Sequence, residues 1–204
     1  LSLWQDTVAK HPGIARAHEN YGIMLYERGR AREAVAEFMT AESLKPFYAD
    51  CDNNLGNALG SLGRNEEAVK YYLRAIPHLV RPVDRAIASY NLGNALRDLG
   101  RLDEAISAYN FAGQLAHYGP AFNNMGSLYA MQKNYPQAIA CYLQALQCQP
   151  DFPQAETNVG DAYAENNQPA EAEQHYLRAL QQNPNYADAH AHLGILYTNQ
   201  NKFT

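Results

Sequence analysis

Residues 119–152 read GPAFNNMGSLYAMQKNYPQAIACYLQALQCQPDF, and the spacing within this stretch decides the fold. Gly126 is followed after 12 residues by Ala138, after 16 by Tyr142 and after 19 by a second alanine, and Pro150 comes near the end. Apolar residues return here at intervals of three and four, which is typical of amphipathic helices. A polar break separates two such helices, and the proline ends the second because proline cannot continue a helix. The stretch is therefore predicted to be one helix-turn-helix unit.

The same landmarks return along the whole chain. The landmark glycines recur at intervals of 34, 37, 33, 34 and 34 residues: Gly22, Gly56, Gly93, Gly126, Gly160 and Gly194. An alanine, an aromatic residue and a second alanine follow each of the first five glycines at constant spacing, and the aromatic residues are Phe38, Tyr72, Tyr109, Tyr142 and Tyr176. Self-similarity at a fixed period of this length is the signature of a repeat protein.

Each landmark has a physical reason. The glycine lets the second helix of the unit approach the first closely, and the aromatic side chain fills the space where three helices meet. One unit cannot bury its own apolar face, so neighbouring units must stack on each other. The sequence therefore predicts an all-α fold, a right-handed superhelical solenoid of helix-turn-helix repeats.

This pattern resembles the tetratricopeptide repeat (TPR) family, and the resemblance covers the whole chain. Two departures occur: three extra residues (83–85) follow the second unit, and His117 stands where the third should have its proline. The resemblance implies a module that binds a protein or peptide partner. We expect a single domain over residues 1–204, with full repeats at 15–48, 49–82, 86–118, 119–152 and 153–186, the second helix of a truncated repeat at 1–14 and the first helix of a sixth repeat at 187–204.

Composition argues against several classes of function. The net charge is −5 and the basic residues are scattered singly, so no nucleic-acid partner is expected. No apolar run approaches the ~20 residues of a membrane helix, and no signal peptide opens the chain, so no membrane insertion is expected within this stretch. The three cysteines are interpreted as small apolar fillers.

No arrangement of residues in the sequence predicts a catalytic or metal-binding site. His190 and His192 are two residues apart and point in different directions on a helix, so a metal site with Asp188 is a poor interpretation of them. Acidic residues cluster at the predicted starts of second helices, where they complement the helix dipole. We therefore expect no catalytic residue, no metal site and no cofactor, and we predict that the chain is not an enzyme.

A ladder of asparagines departs from the structural pattern. One lies two residues before each of the first five landmark glycines, at Asn20, Asn54, Asn91, Asn124 and Asn158, and His192 takes the sixth place. Asparagine is a mediocre helix former, so helix propensity does not explain the register. An amide side chain can donate to and accept from a peptide unit at once. The ladder therefore predicts a groove that holds an extended backbone. Changing Asn54, Asn91 and Asn124 together to alanine should weaken binding with little effect on stability.

Other predicted groove residues are Asn57, Tyr90, Asn94, Arg97 and Asn123. The carboxylate clamp of chaperone-binding TPR proteins needs a lysine just before the ladder asparagine, and Glu19, Asn53 and Tyr90 hold that place in the first three repeats. Binding of acidic chaperone tails is therefore not expected. An alternative stays open for the ladder, because asparagines at this place can instead join neighbouring helices by hydrogen bonds.

The opening segment, LWQDTVAKHP at residues 3–12 and then ARAH at 15–18, resembles the start of the repeat region in membrane-embedded O-mannosyltransferase-type proteins. That resemblance implies a non-catalytic tail that recruits a substrate or partner on the lumenal or periplasmic side of a membrane; otherwise the compartment is open, the cytoplasm included. A third possibility is an assembly scaffold, since neither end shows a polar capping helix and uncapped ends favour self-association.

Overall fold

The computed structural model describes residues 3–199. Within them the chain forms α-helices joined by short turns, and a single 3-10 turn at Ile76–His78. The helices are α1 (Leu3–Lys10), α2 (Ala15–Glu27), α3 (Ala31–Leu44), α4 (Ala49–Ser61), α5 (Asn65–Ala75), α6 (Pro82–Asp98), α7 (Leu102–Ala116), α8 (Gly119–Met131), α9 (Tyr135–Cys148), α10 (Pro153–Glu165), α11 (Pro169–Gln182) and α12 (Ala187–Asn199). The outer ends of the predicted segments 1–14 and 187–204 lie outside the described residues.

The chain divides into two compact units, one up to Ala116 and one from His117 on. In the first unit α2 packs on α3, α4 on α5 and α6 on α7, and the first helices α2, α4 and α6 are neighbours in that order. In the second unit α8 packs on α9 and α10 on α11, and the first helices α8, α10 and α12 are neighbours. The expectation of one domain over residues 1–204 stays a prediction.

The helix pairs close around the landmark residues. A Cβ atom added to Gly93 would lie 2.5 Å from a ring carbon of Tyr109, which is fully buried. The other landmark glycines up to Gly160 meet the aromatic residue of their own repeat in the same way. The first helix therefore needs glycine here because the ring of the second helix occupies the place of a side chain.

Short turns with one residue in the left-handed region connect the two helices of a repeat. Gly29, Gly63 and Gly100 have φ of 74°, 72° and 75°, and Lys133 and Asn167 adopt φ of 58° and 59° at the equivalent places. Such a residue satisfies the last carbonyl groups of the first helix. The turn bonds bear this out, since the amide of Arg64 donates to the carbonyl of Leu59 over 3.0 Å.

The three extra residues after the second repeat have a definite place. Residues 83–85 belong to α6, which begins at Pro82 and has 17 residues, so the first helix of the third repeat is a turn longer than its counterparts. The loop before it contains the 3-10 turn and the exposed Val80. Proline favours the first position of a helix, which accounts for a start before residue 86. No helix among residues 3–199 is long and apolar enough to cross a membrane.

Candidate peptide-binding surface

The asparagine ladder lies on the first helices of the repeats. Asn20, Asn54 and Asn91 are on α2, α4 and α6 of the first unit, and Asn124 and Asn158 are on α8 and α10 of the second. All five side chains are half-buried. They therefore lie between the packed core and the open surface of the first helices.

A hydrogen bond from the repeat tyrosine to the first helix recurs in four repeats, and sequence reasoning missed it. In each, the hydroxyl of the tyrosine donates to the residue just after the landmark glycine. The pairs are Tyr72 with Oδ1 of Asn57 (2.9 Å), Tyr109 with Oδ1 of Asn94 (2.8 Å), Tyr142 with Oγ of Ser127 (3.3 Å) and Tyr176 with Oδ1 of Asp161 (2.7 Å). The sequence does contain a sign of this hydrogen bond. The one full repeat with a phenylalanine in place of the tyrosine, Phe38, has the apolar Ile23 in place of the acceptor.

The same acceptor place also receives the ladder residue of the next repeat. Asn91 donates through Nδ2 to Oδ1 of Asn57 in the preceding repeat (2.9 Å). His192, the sixth member of the ladder, places Nδ1 2.6 Å from Oδ1 of Asp161. Asn54 has Ile23 at this place in the preceding repeat, which offers no acceptor. At Asn91 and His192 the register of the ladder therefore has a structural cause as well as the predicted functional one.

Asn158 reaches a different partner. Its Nδ2 donates to Oδ1 of Asn123 over 2.8 Å, and Asn123 is only 3% exposed. We expected Asn123 on the open groove, but it is buried beneath α10 and acts as the acceptor that joins two repeats. The amides of Asn91 and Asn158 both link neighbouring helices, so the expectation that alanine leaves stability nearly intact needs revision at Asn91.

Two polar clefts open beside the ladder in the first unit. One, of about 400 Å³, lies against α4 and α6 and is lined by Asn57, Asn91 and Asn94 among others. The other, of about 200 Å³, is lined by Asn53 and Asn54 together with residues near the start of α6. Oδ1 of Asn53 is buried and accepts no hydrogen bond from residues 3–199. An unpartnered buried acceptor of this kind calls for a donor.

Tyr90 and Arg97 lie on α6 with Asn94. The Tyr90 ring is half-buried and tilted against Tyr109, with the ring centroids 5.8 Å apart. Arg97 is exposed and donates to Oδ1 of Asp98 through Nε (2.9 Å) and Nη2 (2.8 Å). A hydroxyl and a guanidinium thus lie on the same helix as the amides.

Burial perturbs two carboxyl groups on the first helices. It raises the pKa of Glu19, which is 5% exposed, although a hydrogen bond from Tyr48 opposes the change. Burial also raises the pKa of Asp161, against the opposing hydrogen bond of Tyr176 and the charge of His192. Burial thus disfavours the charged form of both carboxyl groups.

The histidine pair considered for metal binding makes other contacts. Nε2 of His190 lies 2.8 Å from the carbonyl oxygen of Pro184, whereas His192 faces Asp161. Within residues 3–199, no three His, Cys, Asp or Glu side chains cluster as ligands of one ion. Cys51 and Cys141 are buried.

Solved structures share this fold. YrrB, described as a TPR protein with an unusual peptide-binding site, superposes with a TM-score of 0.73 at 19% identity, over 94% of this chain and 98% of its own. PilF of Pseudomonas aeruginosa superposes with a TM-score of 0.75 at 22% identity, over 92% of this chain and 85% of its own. At these identities the likeness establishes the fold, and it confirms the predicted all-α repeat solenoid.

One similarity to a curated protein is stronger in sequence but shorter. Protein O-mannosyl-transferase TMTC1 of Homo sapiens is 40% identical over 55 residues, which is 27% of this chain. The match spans only 6% of that protein's length. The expected resemblance to O-mannosyltransferase-type proteins is confirmed to that extent.

Family models match most of the chain. A model described as tetratricopeptide repeat matches residues 1–49 and 53–112, and another of the same description matches residues 119–152. A third, described as TPR repeat, matches residues 160–201. Together with the repeat geometry, these matches show that the chain belongs to the tetratricopeptide repeat family.

Proposed function

We propose that this chain binds an extended segment of a partner polypeptide along the first helices of its repeats, largely through backbone groups of the ligand. TPR proteins bind protein or peptide partners, and membership in the family supports a protein-interaction module. The TPR fold is typically non-catalytic, so we propose that the chain acts by binding and catalyses no reaction.

The amide pair Asn57–Asn91 carries the proposal. Oδ1 of Asn57 accepts from both Tyr72 and Asn91, which fixes the orientation of its amide. Within residues 3–199, the two side-chain N–H groups of Asn57 and the side-chain oxygen of Asn91 have no partner, and both residues line the 400 Å³ cleft. A peptide unit offers one acceptor and one donor, which matches this remaining pair.

The neighbouring cleft of about 200 Å³ also offers asparagine amide groups to a ligand. The unpartnered acceptor of Asn53 lies there beside the amide of Asn54. An extended chain advances about 3.3 Å per residue, so a segment of several residues could run across α4 and α6 and bond in both clefts. The structural bonds of the ladder thus hold its amides in place for a ligand, and the two roles considered for the ladder are compatible.

Hydrogen bonds to the ligand backbone do not by themselves supply enough free energy for binding. A hydrogen bond gives about 0.5–1.5 kcal/mol net, and association costs several times that amount. The half-buried ring of Tyr90, the guanidinium of Arg97 and the amide of Asn94 lie on α6 and supply further contacts in this proposal. The peptide-binding site ascribed to YrrB, a protein of the same fold, is consistent with a ligand of this class.

Backbone recognition can be tested with a peptide selected on this chain. A phage library of random dodecapeptides is panned on residues 1–204, and the enriched peptide is synthesised with a fluorescent label for anisotropy titration. A version with alternate backbone nitrogens methylated should bind more weakly, because methylation removes donors. Asn53→Ala and Asn54→Ala should each weaken the unmodified peptide by roughly 2- to 10-fold, the effect of one hydrogen bond.

The matched control is the exposed Asn110 on α7, a second helix away from both clefts. Asn110→Ala should leave the affinity unchanged. Equal affinity of the methylated and unmethylated peptides, together with no loss in Asn53→Ala and Asn54→Ala, would show that the ligand is read elsewhere.

The match to TMTC1 favours a second candidate, in which the chain is the non-catalytic part of a membrane glycosyltransferase and recruits its substrate or partner. Here the same surface would hold a polypeptide on the lumenal or periplasmic side. Reading the coding sequence upstream of residue 1 tests this candidate, since it requires hydrophobic segments long enough to span a membrane. An upstream sequence without such segments would reject it.

A further inference from the structure

In three of the repeats, a polar side chain on the first helix lies at the floor of the groove between successive second helices. It lies four residues before the landmark glycine and faces the second helix of its own repeat. In the first repeat it is His18, whose Nδ1 lies 2.7 Å from Oε2 of Glu37 on α3. The floor of that groove is thus closed by a polar pair.

Equivalent pairs close two further grooves. In the second repeat, Asp52 is 1% exposed and accepts two hydrogen bonds from Arg74, which also lies 3.1 Å from Glu42. In the fifth repeat, Glu156 and His175 are both buried, with Oε2 and Nδ1 2.7 Å apart. Polar groups buried in this way are satisfied by each other.

The third repeat lacks such a pair. Ser89 holds the place on α6, and its hydroxyl bonds back to the carbonyl of Arg85 on the same helix over 2.7 Å. The facing positions on α7 hold Ala108, a small residue, and Phe111, which stands where the second repeat has Arg74. An apolar cleft of about 510 Å³ therefore remains between α5 and α7, with α6 as its floor.

The walls of this cleft are apolar and exposed. Leu73 on α5 is 56% exposed, and Phe111 on α7 is 40% exposed. The guanidinium carbon of Arg85 lies 5.8 Å from the centroid of the Phe111 ring, within the range of a cation–π contact. Large apolar side chains left open around a concavity are typical of interaction sites.

The rim on the α7 side is acidic. Asp103 and Glu104 both line it. Glu104 is paired with Arg101, whereas no ion pair forms at Asp103 within residues 3–199. A carboxylate without a cation beside an apolar cleft complements a ligand that carries apolar side chains next to a positive charge.

We propose that the α5–α7 cleft is a second docking site, which takes an amphipathic helical segment of a partner protein that carries leucine-like side chains beside Lys or Arg. An amphipathic helix laid in a groove buries an apolar stripe and keeps its charged flank at the rim. Its walls are second helices, and none of its lining residues lines either of the peptide clefts along α4 and α6.

The probe is a labelled synthetic peptide of leucine and lysine, roughly 18 residues or five helical turns long, with the leucines on one face. Affinity is measured by fluorescence anisotropy against the full 204-residue chain. Two companion peptides carry Glu or Gln in place of Lys. We expect the leucine–lysine peptide to bind at least about tenfold more tightly than the leucine–glutamate peptide.

Three variants locate the site. Leu73→Gln should weaken the leucine–lysine peptide by about tenfold, whereas Leu177→Gln, at the equivalent place on α11, should not. Ser89→Asp with Phe111→Arg recreates the pair seen between Asp52 and Arg74 and should abolish binding. Asp103→Asn should weaken the leucine–lysine peptide and leave the leucine–glutamine peptide unchanged.

Circular dichroism checks that each variant is folded. If the double variant Ser89→Asp with Phe111→Arg does not fold, Leu73→Gln still provides the test, because Leu73 is exposed. The proposal is overturned if the leucine–lysine peptide fails to bind, or if it binds Leu73→Gln as well as the wild type. Equal binding of the three peptides would also overturn it, because charge would then play no part. A dimer that Leu73→Gln dissociates in sedimentation would assign the cleft to a second copy instead.

Discussion

Two asparagines of the ladder should differ in their effect on stability. Asn91→Ala removes the bond to Asn57 and leaves one acceptor position of that amide unfilled, so we expect a loss of about 0.5–1.5 kcal/mol in the free energy of unfolding. Asn54 has Ile23 at the corresponding place in the preceding repeat, so Asn54→Ala should change stability much less. Urea unfolding followed by circular dichroism measures both. An equal loss in the two variants would contradict the assigned role of the Asn91 amide.

Glu19 should make stability depend on pH in an unusual direction. Its pKa is raised in the folded chain by burial, so the folded state binds the proton more tightly than the unfolded state does. Stability from this group therefore falls as pH rises from the unfolded pKa through the folded one. Glu19→Gln should raise the unfolding free energy at pH 7, and this gain should shrink as the pH falls below the ordinary pKa of a glutamate side chain.

The control for Glu19 is Glu33, whose pKa is lowered by its hydrogen bond with Arg30. Its contribution has the opposite sign, present above the unfolded pKa and lost as pH falls. Glu33→Gln should therefore give no gain at pH 7. Thermal melts of both variants between pH 4 and 8 decide the matter, and a gain for Glu19→Gln that persisted at low pH would refute burial of the charge as its cause.

At the scale of the helix pair, the landmark glycines should tolerate substitution only where no ring lies against them. A methyl group at Gly93 would meet the buried ring of Tyr109, so Gly93→Ala should cost about 1–3 kcal/mol in overpacking. A Cβ atom on Gly194 has no heavy atom of residues 3–199 within 4 Å beyond its own helix. Gly194→Ala should therefore stabilise the chain by up to about 1 kcal/mol, the difference in helix propensity.

Chemical denaturation measures the free energy of unfolding of Gly93→Ala and Gly194→Ala. The test is whether the two changes in stability have opposite signs. If both substitutions destabilised the chain alike, loss of glycine itself, and not contact with the aromatic ring, would be the cause.

The sequence predicted the helix pairs well because each landmark has one structural meaning. Glycine and the aromatic residue 16 positions later specify a close contact that any repeat of this class must make. The start of α6 at Pro82 could not be read in the same way, because the proline can either end one helix or begin the next. The register alone placed the boundary at residue 86.

The candidate surface could be predicted only in outline. Period and helix face placed the ladder asparagines on the first helices. Their partners depend on side-chain rotamers across two repeats, so the burial of Asn123 was not foreseen. The pairing of Tyr72 with Asn57 could have been inferred by comparing repeats. The first repeat has Phe38 in place of the tyrosine, and it also has the apolar Ile23 in place of the acceptor.

At the scale of the whole molecule, contacts run between neighbouring helices, so damage should stay local. In a repeat array, stability is approximately a sum of repeat and nearest-neighbour terms. Gly93→Ala should therefore speed hydrogen exchange in α6 and α7 much more than in α10 and α11. Mass spectrometry of peptic fragments follows the exchange. A uniform increase over all helices would mean that the chain opens as one cooperative block.

The polar pairs at the groove floors also bear on how near-identical helices avoid the wrong partner during folding. A histidine on the first helix faces a glutamate in one repeat, whereas an aspartate faces an arginine in the next. A hairpin formed between α4 and α3 would bring Asp52 and Glu37 to one desolvated position with like charges, which is costly. Correct pairing avoids this repulsion, so the divergence of these positions discourages mispaired hairpins. It also predicts that a single helix cannot be exchanged between repeats unless the helix that carries its partner is exchanged with it.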